Sequence, residues 1–192
     1  MAEASTEVPG NISDNGLVEP GIHAAYFFDS QSEKQLKLFS LCGDAVDHKN
    51  ASLVYIAGKQ GVKGIRLSLK DTGFDVSAYE KKQQMKIFDS EEFFLNPSRQ
   101  QFLPPQELVE RIKGLAKEAS DLGFSGLVIL SETDMLVRKG YLSGYKEFDR
   151  AVSSLLERSS VTLICAFDRR ELSARGVTNP ESEIGPLHNV IV

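Results

Sequence analysis

Short apolar runs alternate along this chain with stretches whose apolar residues recur every three or four positions. His23 to Phe28 (HAAYFF), Ser52 to Ala57 (SLVYIA), Met85 to Phe88 (MKIF), Gly126 to Leu130 (GLVIL) and Val161 to Phe167 (VTLICAF) have the length and the β-branched or aromatic content of buried strands. His188 to Val192 (HNVIV) predicts a last short one. Between them, helical spacing predicts helices over Gln35 to Val46, Gly61 to Leu69 and Tyr145 to Glu157. The clearest helix spans Pro105 to Leu122, where Leu108, Ile112, Leu115, Ala119 and Leu122 form one stripe. Pro105 suits its first turn, and Gly123 suits the position just past its end.

Strands separated by helices predict an α/β fold: a three-layer sandwich with a mostly parallel central sheet of five to six strands. Residues 1–20 are polar, contain Pro9, Gly10, Gly16 and Pro20, and show no periodic apolar face. They read as a flexible tail ahead of a single domain over 21–192.

Composition narrows the function. The 192 residues carry a net charge of −5, and basic residues are interleaved with acids, as in Glu110-Arg111-Ile112-Lys113. A nucleic-acid surface needs a basic stripe, which is absent. The two cysteines, Cys42 and Cys165, have no CxxC spacing, so neither a disulfide framework nor a structural zinc site is expected. No apolar run approaches the roughly 20 residues of a membrane span, and no leader pattern opens the chain. A cytoplasmic protein is the expectation.

In open parallel sheets, ligands bind beyond the carboxyl ends of the strands. Here those ends lead into Asp29-Ser30, Gly58-Lys59-Gln60-Gly61, Asp89-Ser90, Ser131-Glu132-Thr133-Asp134 and Asp168-Arg169-Arg170. A Walker A loop is missing: Gly58-Lys59 has Leu53 where the first glycine belongs and Gln60 where Ser or Thr belongs. Gly58, Lys59 and Gly61 remain a candidate anion-binding turn. Glu132 and Asp134 resemble the acidic end of a Walker B strand. Without the phosphate-binding lysine, Glu132 is read as a structural group that caps the next segment or pairs with Arg169. His23 and His188, far apart in sequence, are read as hydrogen-bonding groups, with no metal, no cofactor and no catalytic residue assigned. Cys165 and Cys42 read as small buried hydrophobes. Tyr26, Phe27, Phe28, Phe93 and Phe94 are candidates for core packing or for lining a pocket.

His23 to Ser30, SLVYIA, Gly73-Phe74-Asp75-Val76, Met85 to Leu95 (MKIFDSEEFFL), the long helix ending Gly123-Phe124, Cys165 to Arg170 (CAFDRR) and His188-Asn189-Val190 follow one another along the chain. That order resembles the methanogen/methylotroph sensory (MEDS) domain family. This resemblance implies a divergent RecA/KaiC-like core that has lost its phosphate loop, and a role in sensing small hydrocarbon derivatives. By position it places ligand-binding groups at His23, Asp29, Glu132, Asp168, Arg169 and His188. Ser131 departs from the glycine expected before the acid. The resulting expectation is a non-enzymatic sensory domain that binds a small organic molecule at the strand ends. Its output would pass through a signalling partner or a homo-oligomer. Residual nucleotide binding and a ligand-free interaction module are the alternatives.

Overall fold

A computed structural model describes residues 17–192. Six parallel strands form the central sheet: β1 (His23–Phe28), β2 (Ser52–Ala57), β3 (Met85–Asp89), β6 (Leu127–Glu132), β7 (Val161–Asp168) and β8 (Val190–Ile191). Their spatial order is β3-β2-β6-β7-β1-β8. A separate antiparallel pair, β4 (Leu95–Asn96) and β5 (Gln101–Phe102), leads into helix α5 (Pro105–Asp121).

Each strand sends alternate side chains to opposite faces. On one face, Ala25, Phe27, Val54, Ile56, Ile129, Leu163 and Phe167 pack under α5 and α7 (Leu142–Leu156). On the other, Tyr26, Phe28, Leu53, Tyr55, Leu130 and Ile164 meet α1 (Gln31–Gly43) and α2 (Gly61–Asp71). The result is the three-layer α/β sandwich expected from the strand and helix pattern. Residues 127–130 and 161–167 are buried almost throughout, which explains why these strands read as continuous apolar runs.

Differences from the sequence reading have local causes. Helix α1 starts at Gln31 rather than Gln35 because Ser30 accepts a hydrogen bond from the Glu33 amide while the Glu33 carboxylate accepts from the Asp29 amide. That is close to a capping box, and Ser30-Gln31-Ser32-Glu33 announces it in the sequence. The same helix ends in a π-helical turn over Asp44–His48. Strand β8 has two residues, not five, because His188 follows a 3-10 turn at Gly185–Leu187. Several elements too short to show a period were not foreseen: α3 (Val76–Lys81), α4 (Ser90–Phe94), α6 (Asp134–Arg138), α8 (Arg169–Ala174) and α9 (Pro180–Glu183). The tail expected over residues 1–20 lies mostly outside the described residues. Leu17 and Val18, however, are buried in the α1 face, and the Glu19 carbonyl accepts from Thr162, so the folded part begins at least at Leu17.

The connection after β2 runs to the α1–α2 face, and the connection after β6 runs to the α5–α7 face. These neighbouring strands therefore flank a topological switch point, where open α/β sheets place their ligands.

Candidate functional site

The switch point is filled by the chain itself. Glu132, fully buried at the end of β6, accepts from the Tyr55 hydroxyl at 2.6 Å and the Gly58 amide at 3.1 Å. Its second oxygen lies 2.9 Å from Lys34 Nζ, which is equally buried beneath α1. Asp134 accepts from the Lys59 amide at 3.3 Å and from the Met135 amide at 2.8 Å. A Cβ on Gly58 would fall 2.0 Å from Asp134 Oδ1 and 3.0 Å from Glu132 Cβ, so any larger residue would displace the Asp134 carboxylate. The candidate anion-binding turn thus has its Gly58 and Lys59 amides already paired to internal carboxylates, and Gly61 turns into α2 at φ +65°. Burial and the Glu132 charge push the Tyr55 hydroxyl well above its ordinary pKa, which keeps it a donor. The expected pairing of Glu132 with Arg169 is replaced by Lys34, because α1 lies directly over the end of β6.

A second group stands at the ends of β1 and β7. Arg169 pairs with Glu181 and lies 3.7 Å from Asp29, with its guanidinium 5.3 Å from the Phe27 ring centre. Asp168 caps α8 by accepting from the Arg170 and Glu171 amides. Arg169 is thus held by Asp29 and Glu181 rather than by Glu132. The polar groups on this rim largely satisfy one another.

The two histidines are elsewhere. His23 opens β1 on the α7 face, and the C-terminal segment folds back to set His188 beside it, ring centres 4.2 Å apart. Asp149 of α7 and Cys165 of β7 complete a buried cluster. Asp149 lies 3.5 Å from both imidazoles, and Cys165 Sγ is 3.8 Å from His23 and 3.9 Å from Asp149. The separate hydrogen-bonding roles expected for His23 and His188 are therefore one shared environment, and Cys165 is more than a small hydrophobe there. Burial lowers both histidine pKa values to about 4 and raises Asp149 to about 7. Burial and the Asp149 charge also raise Cys165 well above the usual thiol range. These four residues are the metal-ligating types that the fold gathers among the described residues. Asp149 was missed, although the signal is legible: it occupies the apolar stripe Tyr145, Asp149, Val152, Leu156 of α7.

An open groove of about 850 Å³ lies between α1, the end of α2 and α3. Leu36, Phe39, Phe74 and Tyr79 supply apolar walls, and Asp47, Asp71 and Asp75 line it without any basic residue. Leu36 is 76% exposed. The Phe74 and Tyr79 rings sit 4.9 Å apart, and the Tyr79 hydroxyl donates to Asp47, which raises its pKa to about 12. Of the two readings given for Tyr26, Phe27, Phe28, Phe93 and Phe94, core packing is the one the structure shows.

No helix among the described residues is long and apolar enough to cross a membrane. No curated protein is similar enough to this chain to count as a match. Among solved structures, a KaiC-like protein from the hyperthermophilic archaeon Pyrococcus horikoshii OT3 aligns with a TM-score of 0.57 at 12% identity. The alignment covers 78% of this chain and 62% of that one, and it shows a RecA/KaiC-like fold. Residues 22–179 match the family described as the MEthanogen/methylotroph, DcmR Sensory domain. That match spans most of the sequence, and the chain belongs to the MEDS family of sensory domains.

Proposed function

We propose that this chain is a non-enzymatic sensory domain that binds a small organic molecule, in the groove between α1, α2 and α3. The observation that carries this reading is the groove's lining. Its volume lies within the range of about 300–1,000 Å³ usual for small-molecule sites. Three aspartates and apolar walls favour a methylated organic cation over a carboxylate or phosphate, with the Phe74 face open to it while Lys82 lies 5.5 Å from the Tyr79 ring centre. The strand-end rim, the site expected from fold position, is a weaker candidate because its groups are paired with one another. The same pairing counts against nucleotide: a phosphate would have to displace Glu132 and Asp134 from the Gly58 and Lys59 amides. The signal passes to a protein partner or a second copy of the chain.

Isothermal titration with tetramethylammonium, a neutral methyl ether and acetate tests the reading. Binding of the cation alone is expected, and Leu36→Arg, at an exposed position, should abolish it without unfolding the protein. Phe74→Leu should weaken it roughly 2- to 5-fold, the magnitude of an exposed cation–π contact. If Arg169→Ala removes binding while Leu36→Arg leaves it intact, the ligand sits on the rim and the groove is wrong. Stabilisation by ATP only in the presence of Mg²⁺ would replace this reading with a nucleotide-binding one.

A further inference from the structure

We propose that His23, Asp149, Cys165 and His188 form a closed binding site for one divalent transition-metal ion of the zinc class. The argument begins with the hydrogens. Ser153 Oγ lies 2.8 Å from the Asp149 carbonyl, 3.2 Å from that of Leu187 and 3.1 Å from His23 Nδ1, and we assign its single proton to the shortest contact, the Asp149 carbonyl. Its contact with His23 Nδ1 at 3.1 Å is therefore donated by the imidazole. His188 Nδ1 faces the Ile184 carbonyl at 3.2 Å, and a carbonyl only accepts. Both rings thus carry their proton on Nδ1, and both Nε2 lone pairs point inward at Asp149.

That arrangement sets acceptors against acceptors. His188 Nε2 and Asp149 Oδ2 lie 3.5 Å apart, yet neither has a hydrogen-bond partner among the described residues. His23 Nε2 and Asp149 Oδ1 are also 3.5 Å apart. A single proton on Asp149 can satisfy one imidazole and leaves the other facing a bare oxygen. All four residues are buried, so bulk solvent does not reach the conflict. A cation at the centre satisfies all of them together.

The spacing suits such an ion. Metal bonds of about 2.0–2.3 Å in a tetrahedron place the ligand atoms about 3.3–3.8 Å apart. His23 Nε2, Asp149 Oδ1 and Cys165 Sγ lie 3.5, 3.8 and 3.9 Å apart, His188 Nε2 is 3.5 Å from the other carboxylate oxygen, and one ligand atom from each residue falls within 4.8 Å of the rest, so the ligands close in by up to about 1 Å on the ion. Two imidazoles and a thiol exclude Ca²⁺ and Mg²⁺, which take oxygen. Entry of the ion releases to solvent the Cys165 thiol proton and, where Asp149 is protonated, the carboxyl proton as well. Thiolate and Asp149 carboxylate then neutralise the two positive charges, with both histidines neutral. The Ser153 and Ile184 contacts fix each ring through its outer nitrogen, as partners of metal-bound histidines do.

The ligands come from β1, α7, β7 and the turn before β8, and four protein donors leave no open position. The ion therefore fastens the C-terminal segment to the sheet, where β8 contributes only two paired residues. This site lies on the opposite sheet face from the groove, and its test is independent of it.

The test titrates chelator-treated full-length protein with Co²⁺, then with Zn²⁺. One Co²⁺ per chain is expected, with visible bands of a tetrahedral site, a sulfur-to-cobalt charge-transfer band and displacement by Zn²⁺. Cys165→Ser should abolish the charge-transfer band and Cys42→Ser should keep it. His188→Gln should reduce the affinity at least 10-fold. Ser153→Ala, which positions His23, should weaken binding about 10- to 100-fold. Wild-type protein that stays folded and takes up no Co²⁺ would overturn the proposal, whatever the variants do. So would a spectrum and an affinity unchanged in both Cys165→Ser and His188→Gln.

Discussion

Two buried polar clusters occupy opposite faces of one sheet, and they are opposites in chemistry. On the α1 face, Glu132 accepts from a hydroxyl and an amide and faces the Lys34 ammonium at 2.9 Å as an ion pair off the hydrogen-bond direction, so its charge is matched within the chain. On the α7 face, His23, Asp149, Cys165 and His188 present lone pairs to one another with too few protons to share. A buried charge neutralised within the chain holds the fold together. A buried set of acceptors without its own counter-charge is a site for something else. The comparison also explains why the position where this fold would be expected to bind, beyond β2 and β6, is internally closed.

The largest effect should come from breaking the closed cluster. Removing one partner of a buried ion pair costs about 3–5 kcal/mol because the other charge is stranded. Urea unfolding of Lys34→Met is expected to show a loss of that size. Adding Glu132→Gln should recover more than half of it, whereas simple additivity would deny that the two charges are coupled. On the other face, Zn²⁺ at 100 times its dissociation constant should stabilise by about 2.7 kcal/mol, or roughly 5–10 °C in the unfolding midpoint. The same Zn²⁺ should leave the midpoint of His188→Gln almost unmoved.

Comparable to the zinc effect, about 3 kcal/mol across its window, is the pH response of chelator-treated protein. His23 and His188 fall to about 4 when folded, so the unfolded state holds more protons between about pH 4 and 6.5 and stability rises with pH there. Asp149, raised to about 7, acts in the other direction, favouring the folded state at low pH and losing that contribution as pH rises through 7. Two histidines against one carboxyl leave a net gain of about one proton's slope from pH 4 to 6.5, then a slight fall. Stability curves at stepped pH check this, and the maximum should flatten in His23→Gln.

Smallest is Gly58→Ala, whose methyl would drive Asp134 from its place. A cost of about 1–3 kcal/mol in urea unfolding is the expected outcome of such overpacking. A neutral result would mean that the turn yields easily and the closure is loose.

The sheet was legible because its strands are buried on both faces and therefore written as unbroken apolar runs, SLVYIA being the plainest. Long helices were legible through their stripes, while α3, α6 and α8 are each under two turns and leave no period to read. Of the candidate site, Glu132 was found by its place after a strand. Its partner Lys34 was not, since a lysine on a helix ordinarily reads as solvent-facing. The histidine cluster was hidden by distance: His23 and His188 are separated by nearly the whole chain and meet only after the C-terminal turn folds back. Asp149 alone broke a local rule, a carboxylate within an apolar stripe, and marks the spot. Of the groove, only Gly73-Phe74-Asp75 stood out in the sequence, as a motif and not as a wall, because the lining comes from four separate segments.

The central claim is that a small organic cation is sensed in the α1–α2–α3 groove of this MEDS domain. Chemical-shift mapping of isotope-labelled protein titrated with tetramethylammonium tests it most directly. The account predicts saturable shifts at the Leu36, Phe39, Phe74 and Tyr79 amides with Asp29 and Arg169 unmoved. Shifts centred on Asp29 and Arg169, or none anywhere at millimolar ligand, would contradict it.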